Sequence, residues 1–378
     1  MKKIAILLGT RPEIIRLSII IKKIEKYFNA IIINTNQNFD KELNNFFFQE
    51  LKLRKADYNL KCSNDSPISF ISSLLSKFDK ILEKEKPDAV LILGDTNSGL
   101  AALCAKKKKI PIFHIEAGNR CFDSRVPEEI NRRLIDNLSD INMTYSDIAK
   151  NNLIKENFDL DKIFKIGSPL LEVFTYYKKN IQDSGILKTL NIEKKKYFLA
   201  SCHREENVDD KVNLKNIIMC LNSISKKHKA KVIFSTHPRT KFNLKKFKIK
   251  MHKNIIFSKP FKFFEYLKLQ THAKLTLSDS GSITEESNIL NFPAINLRNT
   301  TERQEGMECG SVIMSSLNIK SIIQSVELAL SRDNSFKASI HPDYNDANVS
   351  EKVITILQSY IDYINSKTWI KGIKQKLI

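Results

Sequence analysis

Short apolar runs alternate with longer stretches of helical periodicity along almost the whole chain, and this alternation leaves few folds open. Residues 3–8, 30–34, 89–93 and 112–115 read as buried strands, with helical patterns over 14–28 and 98–106. A second series follows a less regular region: strands over 197–200, 231–234, 254–257, 274–277 and 294–297, and helices over 214–226 and 263–270. Strands that alternate with helices make βαβ units around a mostly parallel sheet. At roughly 150 residues per domain, the 378 residues suit two such α/β domains. The boundary is expected near 170–185, around Gly167-Ser168-Pro169 and Asp183-Ser184-Gly185. One domain then spans 1–172 with about 360–378 added, and the other 173–359. The last helix, about 350–363, is expected to cross back to the first domain.

Composition narrows the function classes. No apolar stretch approaches the ~18 residues of a membrane span, and the run ending at Leu8 is too short for a secretory signal. The six cysteines (62, 104, 121, 202, 220 and 309) form no CxxC pair. They read as reduced thiols of a cytoplasmic protein, without a zinc site. The net charge of +20 comes from 50 lysines and 12 arginines dispersed along the chain. A nucleic-acid surface usually gathers its charge on one face, so the excess reads as a lysine-biased surface that steers anionic small molecules. No nucleic-acid, membrane or metal partner is expected.

Two segments share a layout. The strand at 89–93 leads through Asp95 and a helix to Pro111 and the strand at 112–115. The strand at 274–277 leads through Asp279 and a helix to Pro293 and the strand at 294–297. Any two βαβ units look somewhat alike; duplicated or not, the two halves share an architecture. In open parallel sheets ligands bind outside the carboxyl ends of the strands, and the polar clusters lie there. Gly9-Thr10-Arg11 and Gly94-Asp95-Thr96 follow strands of the first half. His203-Arg204 and Ser278-Asp279-Ser280-Gly281-Ser282 follow strands of the second.

The serine-glycine turn opens a helix. Free backbone N–H groups at a helix N-terminus, with small residues allowing close approach, suit a phosphate; plain N-capping is the alternative. His203 and Arg204 are the types that hydrogen-bond phosphate oxygens, with a solvated loop as the alternative. Asp95, Glu116 and Glu128 lie at or just after strand ends of the first half. Carboxylates gathered beside an anion site can act as acid and base once burial or mutual repulsion separates their proton affinities. His114 and His237 have no metal-ligand spacing. No GxGxxG follows the first strand, so a nicotinamide cofactor has no support.

Taken in order, these segments resemble the non-hydrolysing UDP-N-acetylglucosamine 2-epimerase family. The matching pieces are Gly9-Thr-Arg-Pro-Glu13, Gly94-Asp-Thr96, His114-Ile-Glu-Ala-Gly118, Pro127-Glu-Glu-Ile-Asn-Arg132, His203-Arg-Glu-Glu-Asn207, Ser278-Asp-Ser-Gly-Ser-Ile-Thr-Glu-Glu286 and Thr301-Glu-Arg303. The resemblance implies two Rossmann-like domains facing across a cleft (glycosyltransferase-B type), a homodimer, a UDP-sugar substrate and no cofactor. By position it gives Arg11, His203, Arg204, Ser280, Gly281, Ser282 and Glu286 to UDP. Asp95, Glu116, Glu128 and His203 are the implied catalytic residues. The implied reaction eliminates UDP to a 2-acetamidoglycal and adds it back after C2 is reprotonated on the other face.

Departures from the commoner pattern refine the substrate. Asn119 and Cys121 follow Glu116-Ala-Gly118 where Leu and Thr are usual. Glu205 stands for an arginine, Ser282 for a second glycine and Arg16 for a lysine. Gln37-Asn-Phe-Asp40 replaces a segment that lines an activator site. With Asn142-Met-Thr-Tyr-Ser-Asp147 and Ser235-Thr-His-Pro-Arg-Thr240, these resemble the capsule and O-antigen subgroup. That subgroup converts UDP-2-acetamido-2,6-dideoxy-L-talose to UDP-N-acetyl-L-fucosamine. The alternatives are a UDP-N-acetylglucosamine 2-epimerase, a transferase of the same architecture, and a nucleotide-sugar-binding protein.

Overall fold

A computed structural model describes residues 1–37, 41–63, 65–332 and 338–371, with backbone alone for 41–45. The chain divides into two compact units, Met1–Val173 with the segment from Asp346 onward, and Phe174–Asn345. The return to the first unit thus comes at Asp346, ahead of the expected position near 360. The reason is local: the helix Val349–Lys367 packs along the helix Arg11–Tyr27. Its first turn is tied down where Glu172 accepts the backbone N–H of Ser350 at 2.9 Å. Residues 372–378 lie outside the described residues.

The first unit is built on seven strands: β1 (Lys3–Leu8), β2 (Asn29–Asn34), β3 (Tyr58–Asn59), β4 (Ala89–Leu93), β5 (Ile112–Ile115), β6 (Ile141–Thr144) and β7 (Ile163–Lys165). All pair in parallel, in the order β3-β2-β1-β4-β5-β6-β7. Strands covered on both faces need apolar residues at successive positions, and Ala89 to Leu93 is accordingly buried throughout. One covering helix, Pro67–Glu85, shows how its neighbour is recruited. Phe70, Leu74, Phe78 and Leu82 recur every fourth residue, so one stripe meets Leu7, Val90 and Ile112 of the sheet.

The second unit repeats the plan with β8 (Tyr197–Cys202), β9 (Lys231–Thr236), β10 (Ile255–Ser258), β11 (Leu275–Ser278), β12 (Ala294–Leu297) and β13 (Val312–Ser315). These are also parallel, in the order β10-β9-β8-β11-β12-β13. The first strand of each unit is central, and the fourth lies beside it with its connections running the other way. That reversal is a topological switch point, where a parallel sheet opens a crevice at its carboxyl edge. It falls between β1 and β4 in one unit and between β8 and β11 in the other. The two segments with a shared layout, β4 to β5 and β11 to β12, hold equivalent places in the two sheets.

Among the described residues, no helix is long and apolar enough to cross a membrane. All six cysteines are unpaired.

Candidate active site

At the first switch point the turn after β1 is shaped by a buried carboxylate. Glu13 accepts the N–H groups of Gly9 (2.6 Å) and Thr10 (2.9 Å) with Oε2, and the Thr96 hydroxyl with Oε1 at 2.6 Å. It therefore laces the β1 turn to the β4 turn. Burial drives its pKa up to about 7 despite those hydrogen bonds. Gly9 has no substitute here, because a Cβ would sit 1.9 Å from Thr35 Oγ1. Arg11 begins the next helix, with its guanidinium 5.1 Å from the centre of the Phe47 ring. Of the segment 37–40 only Gln37 is described. Its Oε1 accepts the N–H and hydroxyl of Ser98 at 3.0 and 2.9 Å.

The structure brings the elements carrying Asp95, Glu116 and Glu128 together. Asp95 ends the β4 turn, Glu116 follows β5 alongside it, and Glu128 lies in the first turn of the helix Pro127–Leu138. Asn131 of that helix donates to the Asp95 carbonyl at 3.0 Å. Glu116 has φ = +72°, a left-handed conformation that costs a side chain about 1–2 kcal/mol. Strain of this kind gathers at functional sites. Arg16 and Asn119 approach its carboxylate at 3.9 and 3.5 Å, and the Arg16 guanidinium lies 5.6 Å from the centre of the Tyr145 ring. Gly118, also left-handed, lets the turn press on the helix Asp147–Lys155, since a Cβ would meet the Ala149 carbonyl oxygen at 2.3 Å.

Of the adjacent pair Glu128 and Glu129, the structure separates the roles. Glu129 is buried and fully engaged by the Cys121 N–H (3.0 Å), Arg132 (2.9 Å) and Arg133 (3.2 Å). Burial raises its pKa, but these partners outweigh that and hold it below the usual range. Glu128 remains half-buried at the site.

A continuous chain of charge runs outward from there. Arg133 and Arg120 share Glu156, with contacts of 2.9 and 2.6 Å. Arg120 also reaches Asp136 at 2.7 Å. Asp136 meets His114 Nδ1 at 2.9 Å, and His114 Nε2 reaches the carbonyl of Gly94 at 2.9 Å. His114 is therefore a brace behind the β4 turn. Burial pushes Asp136 up, yet His114 and Arg120 keep its pKa below the ordinary carboxylate range.

At the second switch point a single residue organises everything. Asp279, wholly buried after β11, accepts the N–H groups of His203 (2.9 Å) and Arg204 (3.0 Å), the Asn207 amide (3.0 Å) and the Cys202 thiol (3.0 Å). Its Oδ1 lies 3.1 Å from His203 Nδ1. With that nitrogen facing a carboxylate, Nε2 is the ring position left for a ligand. Burial alone would raise the Asp279 pKa; the His203 ring and the convergent donors hold it well below the usual range. His237, 6.4 Å from His203 ring to ring, accepts the Arg239 N–H and so caps its own helix.

Ser280, Gly281 and Ser282 lead into the helix Ile283–Leu290, and neither serine caps it with its side chain. Their hydroxyls face each other at 3.0 Å, and Ser282 donates to Glu286 Oε1 at 2.8 Å. The other Glu286 oxygen accepts from Gln270 at 2.6 Å. Arg204 donates to the Asp279 carbonyl at 3.0 Å. Its Nη2 lies 3.6 Å from where a Gly281 Cβ would stand. His203, Arg204, Ser280, Gly281, Ser282 and Glu286 thus share one carboxyl edge, with hydroxyl, backbone and cationic donors around a glycine. Such a set has the chemistry to hold an anion.

Reasoning from the residues alone passed over Asp279 and Arg132 as organisers. The signal for Asp279 was present, a lone carboxylate at a strand end beside small residues. For Arg132 nothing local distinguished it from its neighbour Arg133.

Comparison with known proteins adds to this geometry. The family model described as UDP-N-acetylglucosamine 2-epimerase matches residues 22–358. The solved structure of UDP-N-acetylglucosamine 2-epimerase from Rickettsia bellii superposes with a TM-score of 0.90 at 43% identity, covering 98% of this chain and 100% of that one. That of the Methanocaldococcus jannaschii UDP-GlcNAc 2-epimerase, in complex with UDP-GlcNAc and UDP, gives 0.88 at 38% identity, covering 94% and 99%. The UDP-2,3-diacetamido-2,3-dideoxy-D-glucuronate 2-epimerase of Pseudomonas aeruginosa is 33% identical over 87% of this chain and 93% of its own. With two parallel-sheet units of the glycosyltransferase-B type, and a match that spans most of its length, this chain belongs to the UDP-N-acetylglucosamine 2-epimerase family of UDP-sugar 2-epimerases, which are isomerases.

Proposed function

We propose that the protein inverts C2 of a UDP-2-acetamido sugar by eliminating UDP to a 2-acetamidoglycal and adding it back. The observation that carries this reading is a division of labour between the switch points. The second unit offers diphosphate-type donors at His203, Arg204 and the Ser280–Ser282 turn. The first holds Asp95, Glu116 and Glu128 on adjacent elements. Donors on the leaving diphosphate stabilise the charge that develops as the C1–O bond breaks. A carboxylate takes the C2 proton as that bond opens, and another acid returns a proton on the opposite face. Arg11 and His203 are assigned to the diphosphate, and Glu286, with two acceptor oxygens, to the ribose hydroxyls. The chemistry balances without an external oxidant or reductant.

For the sugar, two readings each have support. Asn119, Cys121, Glu205 and Ser282 favour UDP-2-acetamido-2,6-dideoxy-L-talose, converted to UDP-N-acetyl-L-fucosamine for capsule or O-antigen. The names of the relatives from R. bellii and M. jannaschii favour UDP-N-acetylglucosamine, converted to UDP-N-acetylmannosamine. We also propose a cytoplasmic homodimer. Leu103, Ile130 and Leu134 are 40–54% exposed on two helices that pack together in the first unit, apolar surface that a second copy can cover.

Incubating the protein with each UDP-sugar in heavy water, followed by proton NMR at C2, tests the whole. Epimerised product carrying solvent deuterium at C2 is expected from one of them. Product without deuterium would rule out elimination, and release of UDP only in the presence of an acceptor would point to a transferase.

A further inference from the structure

Asp95 is gripped in an unusual way for a residue assigned to proton transfer. Arg132 directs both Nε (3.0 Å) and Nη2 (2.7 Å) onto the single oxygen Oδ2. Oδ1 has no hydrogen-bond partner among the described residues. The third arm of the same guanidinium, Nη1, donates to Glu129 Oε2 at 2.9 Å. That oxygen also accepts the N–H of Cys121, in the loop between Glu116 and Glu128. Arg132 is almost wholly buried, so water competes little for these bonds. A planar guanidinium is the only side chain that can span two carboxylates with three fixed N–H bonds; a lysine offers one point of charge.

The grip is itself backed. The charged chain from Glu129 through Arg133, Glu156, Arg120 and Asp136 ends at His114 on the carbonyl of Gly94, the residue before Asp95. Through Arg132 it leaves from the Asp95 side chain, and through Gly94 it returns to the peptide that precedes Asp95. Along the way Asp136 accepts the N–H of Gly118, two residues beyond Glu116, at 3.3 Å. All three turns that carry the candidate carboxylates therefore hang on one closed ring inside the first unit.

We infer that Arg132 is a positioning residue for the proposed epimerisation: it occupies one oxygen of Asp95, presents the other to the substrate, and joins Asp95 to the loop that sets Glu116 and Glu128. This rests on the epimerase reading, and it makes the fork of Arg132, not its charge alone, the requirement. A reacting group misplaced by about 1 Å costs on the order of 100-fold in rate.

The experiment compares the full-length wild type with Arg132→Lys and Arg132→Ala. It measures turnover of whichever UDP-sugar the wild type epimerises, the Kd for UDP, and the melting temperature. A wild type that turns over neither sugar overturns the epimerase reading itself, before any variant is made. With an active wild type, both variants should lose about 100-fold in kcat while keeping UDP affinity within about threefold, because UDP is assigned to Arg11 and the second unit, not to Arg132. Added guanidinium at non-denaturing concentration should restore part of the activity of Arg132→Ala, and ammonium at equal ionic strength should not. Should the alanine variant fail to fold, Arg132→Lys carries the test through its split between kcat and UDP affinity. Near-wild-type turnover in Arg132→Lys, or UDP affinity falling in step with turnover, would overturn the inference.

Discussion

The two switch points solve the same structural problem with opposite electrostatics. In each, a buried carboxylate collects backbone N–H groups and fixes the turn after the first strand of its sheet. Glu13 does so with three neutral donors, and burial wins: its pKa rises to about 7. Asp279 does so with the His203 ring as well as its hydrogen-bond donors, and burial loses: its pKa falls. The comparison teaches that burial alone does not set ionisation; the number and charge of convergent partners does. It also matches the proposed division of labour. The second unit keeps a fixed anion to orient donors toward a diphosphate, while the first spends its acids and arginines on placing carboxylates.

The sharpest way to break the comparison is to remove the second anchor. Asp279→Ala leaves the N–H groups of His203 and Arg204 and the Asn207 amide without their acceptor. Losing one partner of a buried charged cluster costs about 3–5 kcal/mol. Thermal or urea unfolding should show a loss of that order, with UDP binding by calorimetry abolished. An unaltered midpoint would mean that Asp279 does not organise the turn.

Next in size is a contrast of function. Glu116→Gln should lower turnover by about 10²–10⁴-fold, the range for removing an acid or base, with UDP affinity little changed. Ser280→Ala should chiefly weaken UDP, by about 0.5–1.5 kcal/mol for one hydrogen bond. The reverse pattern would refute the assignment of proton transfer to Glu116 and of UDP binding to the serine turn.

A pH series sharpens the electrostatic side. Glu13 holds its proton more tightly folded than unfolded, so between pH 4.5 and about 7 the unfolded chain carries fewer protons. Stability contributed by this group therefore falls as pH rises through that window, by at most about 3 kcal/mol. Glu13→Gln should remove that slope. Asp279 acts in the other direction. Its contribution is present above the unfolded value of about 3.9 and is lost as pH falls below it, so Asp279→Asn should flatten only the acid limb. Equal slopes for wild type and Glu13→Gln between pH 4.5 and 7 would show that the Glu13 carboxylate is not destabilised by its burial.

How much could be read before folding depended on length and on burial. The strands at 3–8, 89–93, 112–115 and 294–297 were legible to the residue, because a strand covered on both faces is apolar at most successive positions. Tyr58–Asn59 and Ile163–Lys165 were not, since two or three edge residues carry no periodicity. Ile141–Thr144 and Val312–Ser315 also went unnoticed, short strands that adjoin the better marked β5 and β12. The turns assigned to the chemistry were legible as polar clusters at strand ends. The choice of Glu128 over Glu129 rested on the family resemblance and not on the residue pattern, because adjacent residues on a helix point about 100° apart and only the packed fold says which direction is inward.

The order of apolar runs and turns by itself determined two parallel sheets, and with them which residues stand at the carboxyl edges, because hydrophobic periodicity and turn chemistry are local properties. Only the tertiary structure decided that His114 braces the Gly94 carbonyl, that Arg132 grips one oxygen of Asp95, and that Glu13 and Asp279 sit on opposite sides of their ordinary ionisation. Those outcomes depend on distances between residues far apart in the chain, and on how completely water is excluded from them. Neither quantity is written in any stretch of neighbouring residues.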